Sequence, residues 1–433
     1  MRRTLAPTGF LALAAMLALA PHEARAVSLE SVWREVATAN PTLASRRARV
    51  EAMRHRVAPA GAWASPMVEI GALNVPTNGR FDMEPMTMKM LGVSQSVPVF
   101  GANRLRRSAA QAAASAESAG LEMANVELFA MAWAAYSDAY HAARLVSASR
   151  THEIEMAQLV LAARARYRSS SGRLDDVLRA EAEQARTLSD RAAYEGEWSG
   201  AQARLAALMG RASALLADSL EALPSAPATG ELTAYLAAVD EHHPRLRELR
   251  TQRDGYRLSA RAARRMAWPD LQLGVSYGMR EPIMGEAQDN MWSAMLGFML
   301  PVFAGQREFS EAAEMEAMAR AAEAELQAAT LDLQQQARAL HARALSGARM
   351  VSLLADTVVT TQRRAVAASW SAYQAGGTDL WRVFEATHAL YGEEVALIRA
   401  RQGLARSEAS LLAVTARAEL FGLAFPPIER SGP

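Results

Sequence analysis

Val97-Pro98-Val99-Phe100-Gly101 recurs 203 residues later as Leu300-Pro301-Val302-Phe303-Ala304. The same spacing relates Asn40-Pro41-Thr42-Leu43 to His243-Pro244-Arg245-Leu246, and Ser65-Pro66 to Trp268-Pro269. Further on, Tyr167 to Leu178 matches Tyr373 to Phe384 at a spacing of 206. The chain is therefore one unit written twice. Around these motifs the prolines cluster, and two stretches, 99–223 and 302–425, contain none. Both are rich in Ala, Leu, Glu, Gln and Arg, the strong helix formers. Proline inside a helix removes a hydrogen bond and clashes with the preceding turn, so its absence permits very long helices.

Each unit reads helix, two strands, long helix, turn, helix. A first helix is expected over 29–62 with Ser28 as N-cap. Its counterpart, 232–266, is expected to break near Pro244. From 271 to 279, Leu, Leu, Val, Tyr and Met occupy one parity, with Gln272, Gly274, Ser276 and Gly278 on the other. That is a period-2 strand. Its partner is 291–300, and the first-half equivalents are 67–75 and 86–97. Helices of about 65 residues, Asn103–Tyr167 and Gln306–Tyr373, would each span about 100 Å. Turns follow at Ser169–Gly172 and Gly376–Gly377. The fold class is mainly α with a small β part, a duplicated helix–β-hairpin–long-helix unit.

Residues 1–26 read as a secretory signal peptide, with Arg2-Arg3, an apolar run from Phe10 to Ala20, and Ala24-Arg25-Ala26 at the cleavage site. The first repeat is then 27–222 (hairpin 63–98, long helices 101–210), with a linker at 223–231. The second repeat is 232–422 (hairpin 268–301, long helices 304–422), followed by a tail at 423–433. No other run of 18 apolar residues is present, so no helical span is expected. With the leader removed, 44 basic residues face 45 acidic ones, which argues against a nucleic-acid partner held by bulk charge. The sequence has no cysteine, which excludes disulfides, thiol nucleophiles and a lipidated N-terminal cysteine. Phosphate loops and hydrolase motifs are absent, so neither an enzyme nor a cofactor is expected.

Ten-residue strands with unlike faces suit a membrane barrel, yet they also suit a soluble hairpin. Four strands cannot close a barrel, and an open sheet cannot sit in lipid with its edge groups unsatisfied. Either the hairpins are soluble, or several chains share one barrel.

At this point the sequence resembles the TolC-type outer membrane factors over essentially its whole mature length. The most specific segment is Tyr373-Gln-Ala-Gly-Gly-Thr-Asp-Leu-Trp-Arg-Val-Phe-Glu-Ala-Thr-His-Ala-Leu-Tyr391, with Gly172-Arg-Leu-Asp-Asp-Val-Leu-Arg-Ala180 as its first-half match. Ser96-Val-Pro-Val-Phe-Gly-Ala-Asn-Arg104 resembles the strand-to-helix junction of the heavy-metal efflux branch. The resemblance implies a homotrimer whose chains give four strands each to a twelve-stranded barrel in outer-membrane lipid, above a trimeric α-helical barrel crossing the periplasm of a Gram-negative cell. It implies two protein partners, a periplasmic adaptor (membrane fusion) protein and an inner-membrane pump of the resistance-nodulation-division type. The implied function is a passive exit duct for heavy-metal cations. A duct of the same fold for drugs or type I protein secretion, and a periplasmic coiled-coil scaffold, are the alternatives.

Two sets of residues are candidates within that reading. Ten of the 19 mature methionines lie in the two hairpin windows. Met86, Met88 and Met90, and Met291, Met295 and Met299, share the face that also carries Gly92, Ser94, Ser293 and Gly297. Thioethers are soft ligands suited to Cu(I) and Ag(I), though Met is also an adaptable apolar filler. Lys89 falls on the opposite, apolar face, where it would have to snorkel. At the tip, Asp176 and Arg382 are equivalent by the 206 spacing and opposite in charge. They are expected to close a periplasmic gate, with Tyr373, Asp379 and Glu385 adding hydrogen bonds. Gly172, Leu174, Val177, Gly376, Gly377, Leu380 and Val383 are expected at the tip turns, in contact with the adaptor.

Overall fold

A computed structural model describes residues 27–211, 220–223 and 230–423. The signal peptide, most of the linker and nearly all of the tail lie outside the described residues. The first helix does not run unbroken. It divides into α1 (Leu29–Ala39), α2 (Pro41–His55) and α3 (Val57–Gly61). Ser28 caps α1, its hydroxyl accepting from the Ser31 N–H at 3.2 Å. Asn40 then caps α2, with Pro41 in the first helical position, where its missing N–H costs nothing. The second half repeats this arrangement with α6 (Leu232–His242) and α7 (Pro244–Met266), His243 serving as the cap.

The two caps also clamp the distant ends of later helices. Asn40 Nδ2 donates to the Leu208 carbonyl at 2.9 Å while its Oδ1 accepts from Thr42 N–H. His243 Nδ1 accepts from Arg245 N–H at 3.2 Å, and the Ala413 carbonyl stands beside the ring. An imidazole that accepts must be neutral at that nitrogen, and burial pushes the His243 pKa down to about 4.

Four strands follow the helical starts: β1 (Met67–Leu73), β2 (Met88–Val97), β3 (Asp270–Arg280) and β4 (Met291–Met299). All pair antiparallel in the order β1-β2-β3-β4, so the two hairpins join into one sheet through β2 and β3. Among the described residues no helix packs across either face of that sheet.

From β2 the chain enters α4 (Ala102–Arg168), 67 residues without interruption and about 100 Å long. It returns as α5 (Leu174–Leu208). The second descent, 308–374, has the same length, so the extra residues of the second half fall in the turn before it. That descent is not uniform. It comprises α8 (Glu308–Ser352), a π segment (Leu353–Val358) and α9 (Val359–Gln374), before α10 (Leu380–Thr415) returns. The expected single helix is therefore offset part-way by one wide turn, in which Val359 N–H reaches back to Leu354.

Two apolar clusters hold the helices together. Midway along α4, Trp33 meets Phe129 edge-on at 5.0 Å and Trp133 meets Phe421 at 5.7 Å. Leu246, Leu249, Leu411 and Leu412 complete this core. The Tyr136 hydroxyl lies 2.7 Å from the carbonyls of both Val27 and Glu221, fastening the start of the described chain to the end of the first repeat. At the far end Met156, Leu159, Val160 and Ala163 of α4 pack with Val177, Ala180, Leu380, Val383 and Phe384. Between the clusters, helices approach on alanines and are bridged by ion pairs such as Arg399–Glu197 and Arg406–Asp138 (2.7 Å).

Candidate functional site: the sheet face and the helical tip

The register sorts every strand residue onto one of two faces. Met90, Gly278 and Met291 stand in one row, and Ser94, Gly274 and Met295 in another. Glu69, Gly92, Ser276 and Ser293 fall between them. The opposite face carries Val68, Ile70, Leu91, Val93, Leu273, Val275, Trp292, Leu296 and Phe298, all solvent-exposed in the single chain. Lys89 lies on this apolar face, but its stem carries the ammonium to Glu281, 2.6 Å away beyond the strand end, over the Phe81 ring. It snorkels.

Five of the six sequence-chosen methionines share the polar face. Met86 does not belong to a strand; it sits in the β1–β2 loop, where Asn74 Nδ2 donates to its carbonyl at 3.2 Å. Met88 is buried, with its sulfur lying over Gly278, where an added Cβ would fall 2.5 Å away. Met291, Met295 and Met299 stand open on β4. Glu69, which the sequence reading passed over, accepts from Ser94 Oγ at 3.2 Å and supplies this face with a carboxylate. Among the described residues no cluster of three His, Asp or Glu side chains is arranged to hold a metal.

The tip repeats one turn twice. Ser171 N–H bonds the Arg166 carbonyl (3.0 Å), and Gly377 N–H bonds that of Ala372 (2.8 Å), 206 residues on. The left-handed residue of each turn is Ser170 in the first half and Gly376 in the second. Gly172 is needed because a Cβ there would meet Arg166 Cβ at 2.9 Å.

Asp176 and Arg382 occupy the first turns of α5 and α10, and no ion pair joins them within the chain. The other expected gate residues are engaged locally. Asp379 caps α10 by accepting from Arg382 N–H at 3.1 Å, Glu385 accepts from Trp381 Nε1 at 2.9 Å, and the Arg166 guanidinium lies over the Tyr373 ring. Asp175, rather than Asp176, is the paired acid: Arg173 donates to it at 2.9 Å and holds its carboxyl below the usual range. Val177, Leu380 and Val383 are buried in the tip core, so they hold helices together and offer no surface to an adaptor. Leu174 is exposed. The sequence reading missed Trp381, which stacks on Phe384 at 4.9 Å and lies under the Arg179 guanidinium of α5.

The outer membrane efflux protein family matches residues 32–211 and 236–417. The chain belongs to that family. This efflux protein is similar in fold to the outer-membrane channel OprN (TM-score 0.72, 19% identity, 89% of each chain covered). It is similar also to the outer membrane protein VceC of Vibrio cholerae (0.72, 16%, covering 89% of this chain and 95% of that one). CusC, whose crystal structures concern transmembrane channel formation, matches at 0.70 and 16%, covering 89% and 91%. No curated protein matches the sequence at a significant level. Among the described residues of the efflux protein no helix is long and apolar enough to cross a membrane.

Proposed function

We propose that the protein is the exit duct of a tripartite pump, a homotrimer whose three sheets close one barrel in the outer membrane and whose helices continue the duct through the periplasm. The observation that carries this is the sheet itself. It has one polar and one exposed apolar face, and among the described residues nothing pairs with the outer edges of β1 and β4. Lipid would cover the apolar face, but only strands of further copies can satisfy both edges. An adaptor protein and an inner-membrane pump of the resistance-nodulation-division type complete the assembly, and the tip turns at Gly172 and Gly376–Gly377, with exposed Leu174, form the adaptor surface.

The cargo we infer is a heavy-metal cation, soft ones such as Cu(I) or Ag(I) above all, passed along the thioethers of Met90, Met291, Met295 and Met299 on the lumen face, with Met88 buried behind them. Met86 would serve at the outer mouth. Replacing all six by Leu keeps volume and apolarity while removing sulfur. In a strain lacking the native gene, the variant at equal expression should restore less copper and silver tolerance than the wild type. Equal restoration would reduce the methionines to filler and remove the argument for metal cargo.

At rest we propose that the gate closes between copies. Tyr373, Asp379 and Glu385 are committed within the chain, which leaves Asp176 of one copy and Arg382 of the next to pair. Arg382→Asp should raise conductance in planar bilayers, and adding Asp176→Arg should bring it back down. An unchanged conductance in the single variant would exclude the pair as the latch.

A further inference from the structure

The helical ends directly beneath the sheet carry six exposed arginines. Arg104, Arg106 and Arg107 lie in the first turns of α4, and Arg261, Arg264 and Arg265 in the last turns of α7. The two helices run side by side here, with Arg106 Nη2 reaching Met266 Sδ at 2.7 Å. α4 begins five residues after β2 ends, and β3 begins four residues after α7 ends, so both arginine groups sit at the base of the two central strands. Arg264 pairs with Glu316 at 2.5 Å. Among the described residues no carboxylate pairs with Arg104, Arg107, Arg261 or Arg265, whereas arginines further along the bundle are widely bridged. The far end of the sheet has the opposite balance: Arg80 and Lys89 pair with Asp82 and Glu281, Arg280 reaches the Asp289 and Pro85 carbonyls, and Glu84, Glu286 and Asp289 are added.

A second observation marks the same level. Trp63, Phe100, Trp268 and Phe303 all stand exposed at junctions between helix and strand, and Phe100 and Trp268 lie 5.1 Å apart. Along α4 and α7, proceeding from sheet to helices, the surface is aliphatic, then aromatic, then cationic, while the start of α8 brings Glu311 to the same level beside Arg106. Hydrocarbon, interface and headgroup follow in that order through one leaflet of a bilayer. We infer that the arginine collar binds the headgroups of anionic phospholipids in the periplasmic leaflet. It sets the depth of the barrel and marks which side faces the periplasm. The inference rests on the outer-membrane setting of the family but not on any cargo or gate.

Unpaired guanidinium groups near an anionic surface each add attraction that salt screens. The full-length protein, extracted in detergent and supplied with phosphatidylglycerol or phosphatidylethanolamine, should retain the anionic lipid at least roughly tenfold better in native mass spectrometry. Replacing Arg104, Arg107, Arg261 and Arg265 together by Gln should bring the two lipids close to parity, while replacement by Lys should keep most of the preference. If the Gln variant fails to fold, salt decides: the wild-type preference should collapse near ~1 M, where the screening length is about 3 Å. Equal retention by the wild type, a preference undiminished in a folded Gln variant, or one insensitive to salt would each overturn the collar. Displacement of the lipid by an equal concentration of inorganic phosphate would overturn it too, in favour of a site for free anions. If the trimeric barrel were disproved while the preference stood, the duct reading would fail and the headgroup site would survive without its role in setting barrel depth.

Discussion

The first and second halves of the chain repeat each other closely, yet they differ most where they should be most alike, at the tip. Leu174 and Leu178 on α5 correspond to Leu380 and Phe384 on α10. The first pair is 51% and 56% exposed, and the second is 8% and 4% exposed. Both helices lie against α4, which helps bury Val177 and Ala180 of α5 as well as Val383 of α10, but the Leu174–Leu178 edge of α5 is uncovered. The caps differ as well: Asp379 closes the start of α10 by its side chain, while Arg173 closes nothing on α5. The duplicated sequence thus differs at one edge, which is buried on α10 and exposed on α5 at Leu174 and Leu178.

Truncating the two equivalent residues separates these edges most sharply. Phe384→Ala should destabilise the protein by about 3–5 kcal/mol, as loss of a buried aromatic does. Leu178→Ala should cost under about 0.5 kcal/mol in the isolated chain. Chemical denaturation of both variants measures the difference. A larger cost for Leu178→Ala in the assembled protein alone would show that another chain covers it, and equal costs throughout would break the comparison.

Asn40 and His243 fill the same cap, but only His243 titrates. Its folded pKa, about 4, lies below the ordinary histidine value, so the folded state disfavours the proton. The stability from this site is complete above about pH 6.5 and falls as pH drops toward 4, by about 2 kcal/mol at pH 5. Glu408, pushed up to about 7 by burial, moves the other way, losing stability as pH rises from about 4.5 to 7. The test is therefore the difference between wild type and His243→Asn, which copies the first-half cap. Melting temperatures of the two should diverge between pH 7 and pH 5, with the variant less acid-sensitive. Parallel pH profiles would show that His243 is not the buried neutral group described.

The smallest effect is expected in the turns. Ser170 adopts the left-handed conformation that Gly376 adopts in the second half. Ser170→Gly should raise stability by about 0.5–1 kcal/mol, and Gly376→Ser should lower it by a similar amount. A loss on Ser170→Gly would mean that the hydroxyl contributes more than the backbone strain costs.

The sheet was legible because a period of two assigns each residue to a face whatever the partner strand, and the observed register keeps those faces. The long helices were legible from proline spacing. The break after Ala39 was not expected, because Asn-Pro starts a helix as readily as it interrupts one. The π segment has no local signature in Leu353–Val358. At the tip, repeat spacing located Asp176 and Arg382 but could not tell that Leu380 and Phe384 would be buried while Leu174 and Leu178 stay exposed. Trp381 went unnoticed although its first-half equivalent is Asp175, one of the strongest departures from the repeat.

Above these differences stands the claim that the open sheet is one third of a barrel. Native mass spectrometry of the detergent-extracted full chain tests it most directly. Three copies should fly together, held by the edges of β1 and β4 and by the uncovered helix faces. A stable monomer extracted from the membrane would contradict the account.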